Sequence, residues 1–192
     1  MALRLEVSRI FCIEFAAEQV TQVRWQKQKS WIFNGAMMVV VFVAASAFQA
    51  RNMLDTDRQA SPGLSAITLG SDRFDLASQD PRPTVIYFFA PWCNYCALSS
   101  DNLNRLRRLR DEDALRIVAV ALDWKDSIEV RRYAERHELN VPVLLGDAAI
   151  ARDWKVYGYP TYYVLDKQSR VVSRDVGYST QLGLLWRSWV SD

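Results

Sequence analysis

An apolar run that leads directly into a pair of cysteines is the feature that most restricts the fold of this chain. The run PTVIYFFA, residues 83–90, has no charged side chain and is typical of a strand buried on both faces. Cys93 and Cys96 follow it, and leucines then recur at roughly helical spacing. This pattern predicts a buried strand that turns into a helix at the cysteine pair.

Strand and helix patterns alternate through the rest of the chain beyond residue 65. Short apolar and β-branched runs predict strands in SAITL, RFDLA, LRIVAVALD, VPVLLG, TYYVLD and RVVSRDVG, the first two paired as a hairpin. Amphipathic patterns predict helices in KDSIEVRRYAERHEL, in DAAIARDWKV with Asp147 as its N-cap, and in TQLGLLWRSWV. Alternation of this kind predicts an α/β domain built on a central sheet.

The expected position of the two cysteines at the start of a helix predicts their chemistry. The first turn of a helix carries unpaired N–H groups and the positive end of the helix dipole, so a thiolate is stabilised there. The pKa of such a cysteine falls below its usual value of about 8.5, and the thiol becomes nucleophilic at neutral pH. We expect Cys93 to be the exposed attacking thiol and Cys96, one turn further along, to be the shielded resolving thiol.

Other roles for the cysteine pair have less support. A zinc site would need further cysteines or histidines, and the chain has three cysteines and one histidine in all. A structural disulfide across so short a loop adds little stability. A copper(I) site made from the two thiolates stays open, because soft thiolate ligands favour this ion. The net charge of +2 gives no support for nucleic-acid binding.

A long uncharged segment near the N-terminus is a transmembrane candidate. Residues 30–50, SWIFNGAMMVVVFVAASAFQA, contain no Asp, Glu, Lys or Arg and are long enough to cross a bilayer as a helix. A cleaved signal peptide is the alternative, because the Ala-Ser-Ala sequence at 45–47 resembles a cleavage site. We favour the uncleaved anchor, since no polar spacer separates the apolar run from that site.

The charges beside this segment predict its orientation. Arg24, Lys27 and Lys29 lie close before it, which favours a cytoplasmic N-terminus. The chain is therefore expected to have a cytoplasmic segment (1–29), a transmembrane helix (30–50), a polar linker (51–65) and a folded domain (66–192). In a bacterium this organisation describes a single-pass inner-membrane protein with its domain in the periplasm, where disulfide chemistry takes place.

Three stretches together resemble a known family. YFFAPWCNYC, VYGYPTYYVLD and VGYST are similar to the thioredoxin superfamily, and more narrowly to the membrane-anchored TlpA-like disulfide oxidoreductases, which include suppressor-of-copper-sensitivity-type proteins. The resemblance covers about residues 62–192. It implies a thioredoxin-like fold, with a central mixed sheet flanked by helices. The TlpA-like insertion would correspond to the segment around KDSIEVRRYAERHEL and VPVLLG.

The resemblance also implies which residues form the site. By this resemblance, Cys93 and Cys96 would form the redox centre, with Trp92 before them. The cis-proline that faces the cysteines in the family would correspond to Pro160. Tyr159 and Thr161 flank that proline and would contact the substrate with it. The position of this proline also predicts a cis peptide bond at Tyr159–Pro160. A proline just before a strand is unusual because it cannot donate a hydrogen bond to the sheet, and a cis bond, which X–Pro pairs adopt at low cost, would explain it.

Two departures from thioredoxin concern the surroundings of the cysteines. Thioredoxin has a buried aspartate six residues before its first cysteine, and this chain has Tyr87 there. Thioredoxin also has Gly-Pro between its cysteines, where this chain has Asn94 and Tyr95. Asp123, at the end of the next strand, is a candidate for a substitute acid.

The resulting hypothesis is an enzyme, a protein thiol–disulfide oxidoreductase that contributes to redox homeostasis. Its partners would be protein thiols or disulfides in the periplasm and a membrane electron donor, and it would work as a reductase. No cofactor and no metal are expected. The alternative is a copper(I)- or apoprotein-binding thiol protein without turnover.

Overall fold

The strand predicted from the apolar run lies at the centre of the domain. In the computed structural model, which describes residues 33–45, 53–79 and 81–190, this strand is β3 (Thr84–Phe89), and all six of its side chains are buried. Successive side chains of a strand point to opposite faces of a sheet. Both faces of β3 are therefore covered, as the unbroken apolar sequence predicts.

Six further strands complete one mixed sheet. Their order across the sheet is β2-β1-β5-β4-β3-β6-β7, with β3, β4 and β5 parallel and the other pairs antiparallel. The predicted hairpin is confirmed as the antiparallel pair β1 and β2. The strands are β1 (Ser65–Thr68), β2 (Arg73–Asp75), β4 (Arg116–Ala121), β5 (Val143–Leu145), β6 (Thr161–Leu165) and β7 (Val171–Val176).

Helices cover the sheet where the amphipathic patterns predict them. The Asp147 cap is confirmed, because its carboxylate accepts the Ile150 N–H at 2.8 Å. Residues 33–45 are also helical and are called α1. The other helices are α2 (Asn94–Leu109), α3 (Ser127–Arg136), α4 (Ala148–Asp153) and α5 (Gln181–Val190).

The sheet separates two apolar cores. Val85, Tyr87 and Phe89 of β3 join the core that also contains Cys96 and Leu103 of α2. Ile86 and Phe88 join the opposite core, which is built around the fully buried Trp154. The cysteine pair thus belongs to the core beneath α2. This is the predicted thioredoxin-like arrangement of a mixed sheet between helices.

Part of the predicted linker packs against the domain. Met53 and Leu64 are buried in the core around Trp154, and Ala60 forms a β-bridge with Arg170. The Arg174 guanidinium also donates to the backbone carbonyls of Met53 and Leu54. The reason is that Met53 and Leu64 remove apolar surface from water when they pack in this core. The folded domain therefore includes most of the stretch between residues 53 and 65.

The predicted transmembrane segment 30–50 contains α1. Residues 33–45 lie in a unit separate from the domain, and their side chains are exposed. Within the described parts of the chain, no helix combines the length and the apolar character needed to cross a membrane. Residues 30–32 and 46–50 of the predicted span, and the whole predicted cytoplasmic segment 1–29, lie outside the described residues.

Candidate functional site

The two cysteines lie where β3 leads into α2, as the sequence predicts. Cys93 is the N-cap residue of α2, and the Cys96 N–H donates to its sulfur at 3.1 Å. The two residues form a disulfide, with their Cα atoms 5.2 Å apart. The sulfur of Cys93 therefore occupies the position at a helix N-terminus where unpaired N–H groups stabilise negative charge.

Solvent access differs between the two cysteines and their neighbours. Cys93 is 7% exposed, whereas Cys96 is fully buried. Trp92 and Tyr95 are 59% and 66% exposed, so aromatic side chains project from the turn that carries the disulfide. A partner approaching this surface meets Cys93 before Cys96, which is the order expected of an attacking and a resolving thiol.

A second segment of the site contains the predicted proline. The Tyr159–Pro160 peptide bond is cis, which confirms that prediction. The Tyr159 ring stands edge-on to the Trp92 ring, with centroids 5.8 Å apart, so this segment lies against the cysteine turn. The Tyr159 backbone N–H and C=O have no hydrogen-bond partner among the described residues.

The residues after Tyr159 hold this segment in place. The Pro160 carbonyl accepts the Gly177 N–H at 2.8 Å, and Gly177 has a φ of +91°, which favours glycine. Thr161 is fully buried, and its hydroxyl donates to the Gly158 carbonyl at 2.8 Å. Pro160 and Thr161 therefore shape the loop, while Tyr159 forms its accessible part.

Trp92 is also anchored by the segment that follows β4. Its indole N–H donates to the backbone carbonyl of Asp123 at 3.1 Å, and Asp123 adopts a φ of +52°. The Asp123 side chain is exposed, so it is not a buried acid of the thioredoxin kind. Its charge instead acts on Tyr159, whose pKa is raised by burial and by the nearby Asp123 carboxylate.

Hydroxyl groups occupy the space beneath Cys96. The Tyr87 hydroxyl donates to the Cys96 carbonyl at 2.9 Å, and the Ser100 hydroxyl donates to the same oxygen at 3.1 Å. Ser100 is in turn 3.0 Å from the Tyr133 hydroxyl. The sequence identified Tyr87 only as a departure from thioredoxin. Ser100 was not identified from the sequence. Its position four residues after Cys96, on the same face of the predicted helix, is the signal that could have pointed to it.

No metal cluster is found in the part of the chain that the structure describes. No three His, Cys, Asp or Glu side chains there lie close enough together to hold an ion. The groups that surround the disulfide are the N-terminus of α2 and the hydroxyl groups of Tyr87, Ser100 and Tyr133.

Comparison with known proteins agrees with this architecture. A family model described as the AhpC/TSA family matches residues 58–174. The thioredoxin-like protein YneN of Bacillus subtilis is 28% identical over 127 residues, which are 64% of this chain and 73% of the relative. The thiol-disulfide oxidoreductase ResA of Bacillus cereus is 23% identical over 122 residues, which are 63% of this chain and 70% of the relative.

A solved structure shows the same fold. The thiol:disulfide interchange protein of the thioredoxin family from Chlorobium tepidum superposes with a TM-score of 0.64. The match covers 72% of this chain and 99% of that protein, at 19% identity. At this level of identity the similarity establishes a thioredoxin-like fold.

Proposed function

The chain belongs to the AhpC/TSA family, and on that premise we propose that it is a protein thiol–disulfide oxidoreductase whose redox pair is Cys93 and Cys96. The observation that carries the proposal is the disulfide at the N-terminus of α2, in which only the Cys93 end reaches the surface. The relatives named as a thioredoxin-like protein and a thiol-disulfide oxidoreductase support the same activity.

The reaction is a pair of thiol–disulfide exchanges. The Cys93 thiolate attacks one sulfur of a partner disulfide, and the other partner sulfur leaves as a thiolate and takes up a proton. The Cys96 thiolate then attacks Cys93, which breaks the mixed disulfide and releases the second partner thiol. Two electrons pass to the partner, and the two protons of the reduced pair end up on its thiols.

We place the physiological reaction in the direction of substrate reduction. Burial disfavours a charged thiolate at Cys96, which is fully buried and lies one turn inside α2 rather than at its N-cap. This favours the neutral disulfide of the enzyme and so makes the reduced pair a better electron donor. A membrane electron donor would be needed to reduce the pair again after each turnover.

The partner surface is proposed to combine the cysteine turn and the proline loop. Trp92 supplies an exposed aromatic face next to Cys93. Tyr159 supplies a backbone N–H and C=O that no described residue pairs with, and these groups can bind an extended peptide in the manner of an added strand. Pro160 and Thr161 would act indirectly, by holding Tyr159 in this position.

The proposed location is the inner membrane, with residues 66–192 in the periplasm. The support is the uncharged stretch 30–50, of which residues 33–45 are helical, and the basic residues Arg24, Lys27 and Lys29 before it. The substrates would then be periplasmic proteins with accessible disulfides.

Trapping experiments with the full chain test this function. With insulin as a model protein disulfide, Cys93→Ser should abolish exchange, while Cys96→Ser should accumulate a mixed disulfide visible by mass spectrometry. A titration of the reduced chain with copper(I) examines the alternative of a thiol protein without turnover. Tight copper(I) binding together with no insulin reduction would favour that alternative and reject the oxidoreductase.

A further inference from the structure

The backbone carbonyl of Cys96 receives two hydroxyl hydrogen bonds from different elements. Tyr87 donates from β3 at 2.9 Å, and Ser100 donates from α2 itself at 3.1 Å. Because the single hydroxyl proton of Ser100 is used in this bond, Tyr133 of α3 donates to Ser100 at 3.0 Å. The bond from Tyr87 ties the first turn of α2 to the central sheet.

The Tyr87 hydroxyl is held rigidly at this position. Its side chain is fully buried, and its ring lies parallel to Phe89 at 5.6 Å and against Tyr162 at 5.0 Å. The backbone of β3 is hydrogen-bonded to a strand on each side. A ring fixed in this way sets the height of the Cys96 carbonyl above the sheet, because the hydrogen bond has a narrow range of length.

We propose that Tyr87 is a positioning residue for Cys96, which keeps the Cys96 sulfur aligned for its attack on Cys93 in the mixed disulfide. This inference rests on the proposed function. In the step concerned, the Cys96 thiolate forms the bond to Cys93, the bond from Cys93 to the partner sulfur breaks, and the partner leaves as a thiolate that takes up a proton. The partner disulfide is the oxidant.

Alignment matters in this step because it is an intramolecular displacement. Reactions of this type depend steeply on the placement of the attacking atom, and a displacement of about 1 Å can cost roughly 100-fold in rate. The first attack, by Cys93 on a free partner, does not use Cys96. Loss of the Tyr87 hydroxyl should therefore slow the second exchange and leave the first unchanged.

Tyr87 acts through position rather than as a base. Burial raises its pKa well above the ordinary value of 10.0, and the neighbouring Tyr133 and Tyr162 raise it further. Burial also raises the pKa of Tyr133 on α3 and of Tyr162 on β6, the two tyrosines that share this core with Tyr87 and the cysteine pair. These hydroxyls stay protonated around neutral pH, so the pH profile of exchange should not depend on the Tyr87 hydroxyl.

The test compares Tyr87→Phe with Tyr163→Phe in the full chain. Tyr163 is the matched control, because its buried hydroxyl also donates to a backbone carbonyl, that of Trp154 at 2.8 Å, in the core on the other sheet face. Insulin is the probe, and rapid acid quenching with mass spectrometry follows the mixed disulfide. We expect Tyr87→Phe to slow its resolution about tenfold without changing its formation or the pH profile, and Tyr163→Phe to change neither rate.

Each result bears on the inference. Equal resolution rates in the two variants would overturn it while leaving the oxidoreductase function in place, and so would a shifted pH profile in Tyr87→Phe. Failure of the wild-type chain to form any mixed disulfide would instead reject the proposed function. If Tyr87→Phe does not fold, Ser100→Ala removes the second hydroxyl bond with less disturbance of packing. It should slow resolution in the same direction, and an unchanged rate there would overturn the inference.

Discussion

The indole of Trp92 is held between two segments that are far apart in the chain. Its ring is nearly perpendicular to the Tyr159 ring, with centroids 5.8 Å apart, and its N–H donates to the Asp123 carbonyl at 3.1 Å. The residue before the first cysteine is thereby fixed to the residue before the cis-proline. The cysteine turn and the proline loop thus form one surface.

The contact between Trp92 and Tyr159 should be measurable as an energetic coupling. Edge-to-face aromatic pairs contribute about 0.5–1.5 kcal/mol beyond their buried area. A double-mutant cycle of Trp92→Ala and Tyr159→Ala, followed by chemical denaturation, should give a coupling in that range. The Trp92 variant should also raise the KM for insulin but leave the alkylation rate of Cys93 by a small reagent unchanged. Strictly additive stability losses would show that the pair does not interact.

Gly146 should be intolerant of a methyl group. A Cβ there would lie 2.7 Å from Val120 Cγ1, 2.8 Å from Leu122 Cδ2 and 3.0 Å from the Ala121 carbonyl oxygen. Overpacking of this kind destabilises proteins by about 1–3 kcal/mol, so Gly146→Ala should lower the free energy of unfolding by that amount. Gly63→Ala is the control, because nothing lies within 4 Å of its Cβ position. Denaturation midpoints that agree for the two variants would contradict this account.

Gly177 should also be intolerant of a side chain, but because of its backbone conformation rather than its packing. Its Cβ position is open, but its φ of +91° is unfavourable for residues with a side chain. Gly177→Ala is expected to cost about 1–2 kcal/mol and to weaken the bond to the Pro160 carbonyl, which should raise the KM for insulin. Gly158→Ala, in the proline loop that Gly177 is hydrogen-bonded to, has only an ordinary contact at 3.7 Å and serves as the control. A variant at 177 with wild-type stability and KM would show that this glycine is not required.

Asp166 should make stability depend on acidic pH. Burial alone would raise its pKa, but hydrogen bonds from the Arg170 backbone and guanidinium and from the Gln168 N–H outweigh burial and hold the pKa below 3.8. A lowered pKa contributes stability that is present above the unfolded value and is lost as pH falls through the folded value.

The variant Asp166→Asn should therefore lose about 1 kcal/mol at neutral pH and show a smaller decline in stability below about pH 4. Denaturation curves collected from pH 7 to pH 2 measure both effects. Asp72→Asn, at an exposed turn, should follow the wild-type curve. If the Asp166 variant shows the same acid dependence as the wild type, its carboxylate does not contribute in this way.

Local patterns predicted most of the elements that carry the site. Features that depend on residues close together in sequence could be predicted. They include the buried strand β3, the hairpin of β1 and β2 and the Asp147 cap. The linker was less well predicted. Its composition is polar, and Met53 and Leu64 are buried by core residues that lie far from them in the sequence, such as Trp154 and Tyr163.

The sequence by itself determined that a buried strand would turn into a helix at Cys93 and Cys96, and that a proline would precede a later strand. These features follow from side-chain periodicity and from the restricted backbone of proline, which act over a few residues. Only the tertiary structure decided that Tyr87 would reach the Cys96 carbonyl and that Trp92 would meet both Asp123 and Tyr159. Those contacts depend on the order of the strands and on the direction of each side chain across the sheet, because partners up to 67 positions apart in sequence come together only when the whole core has packed.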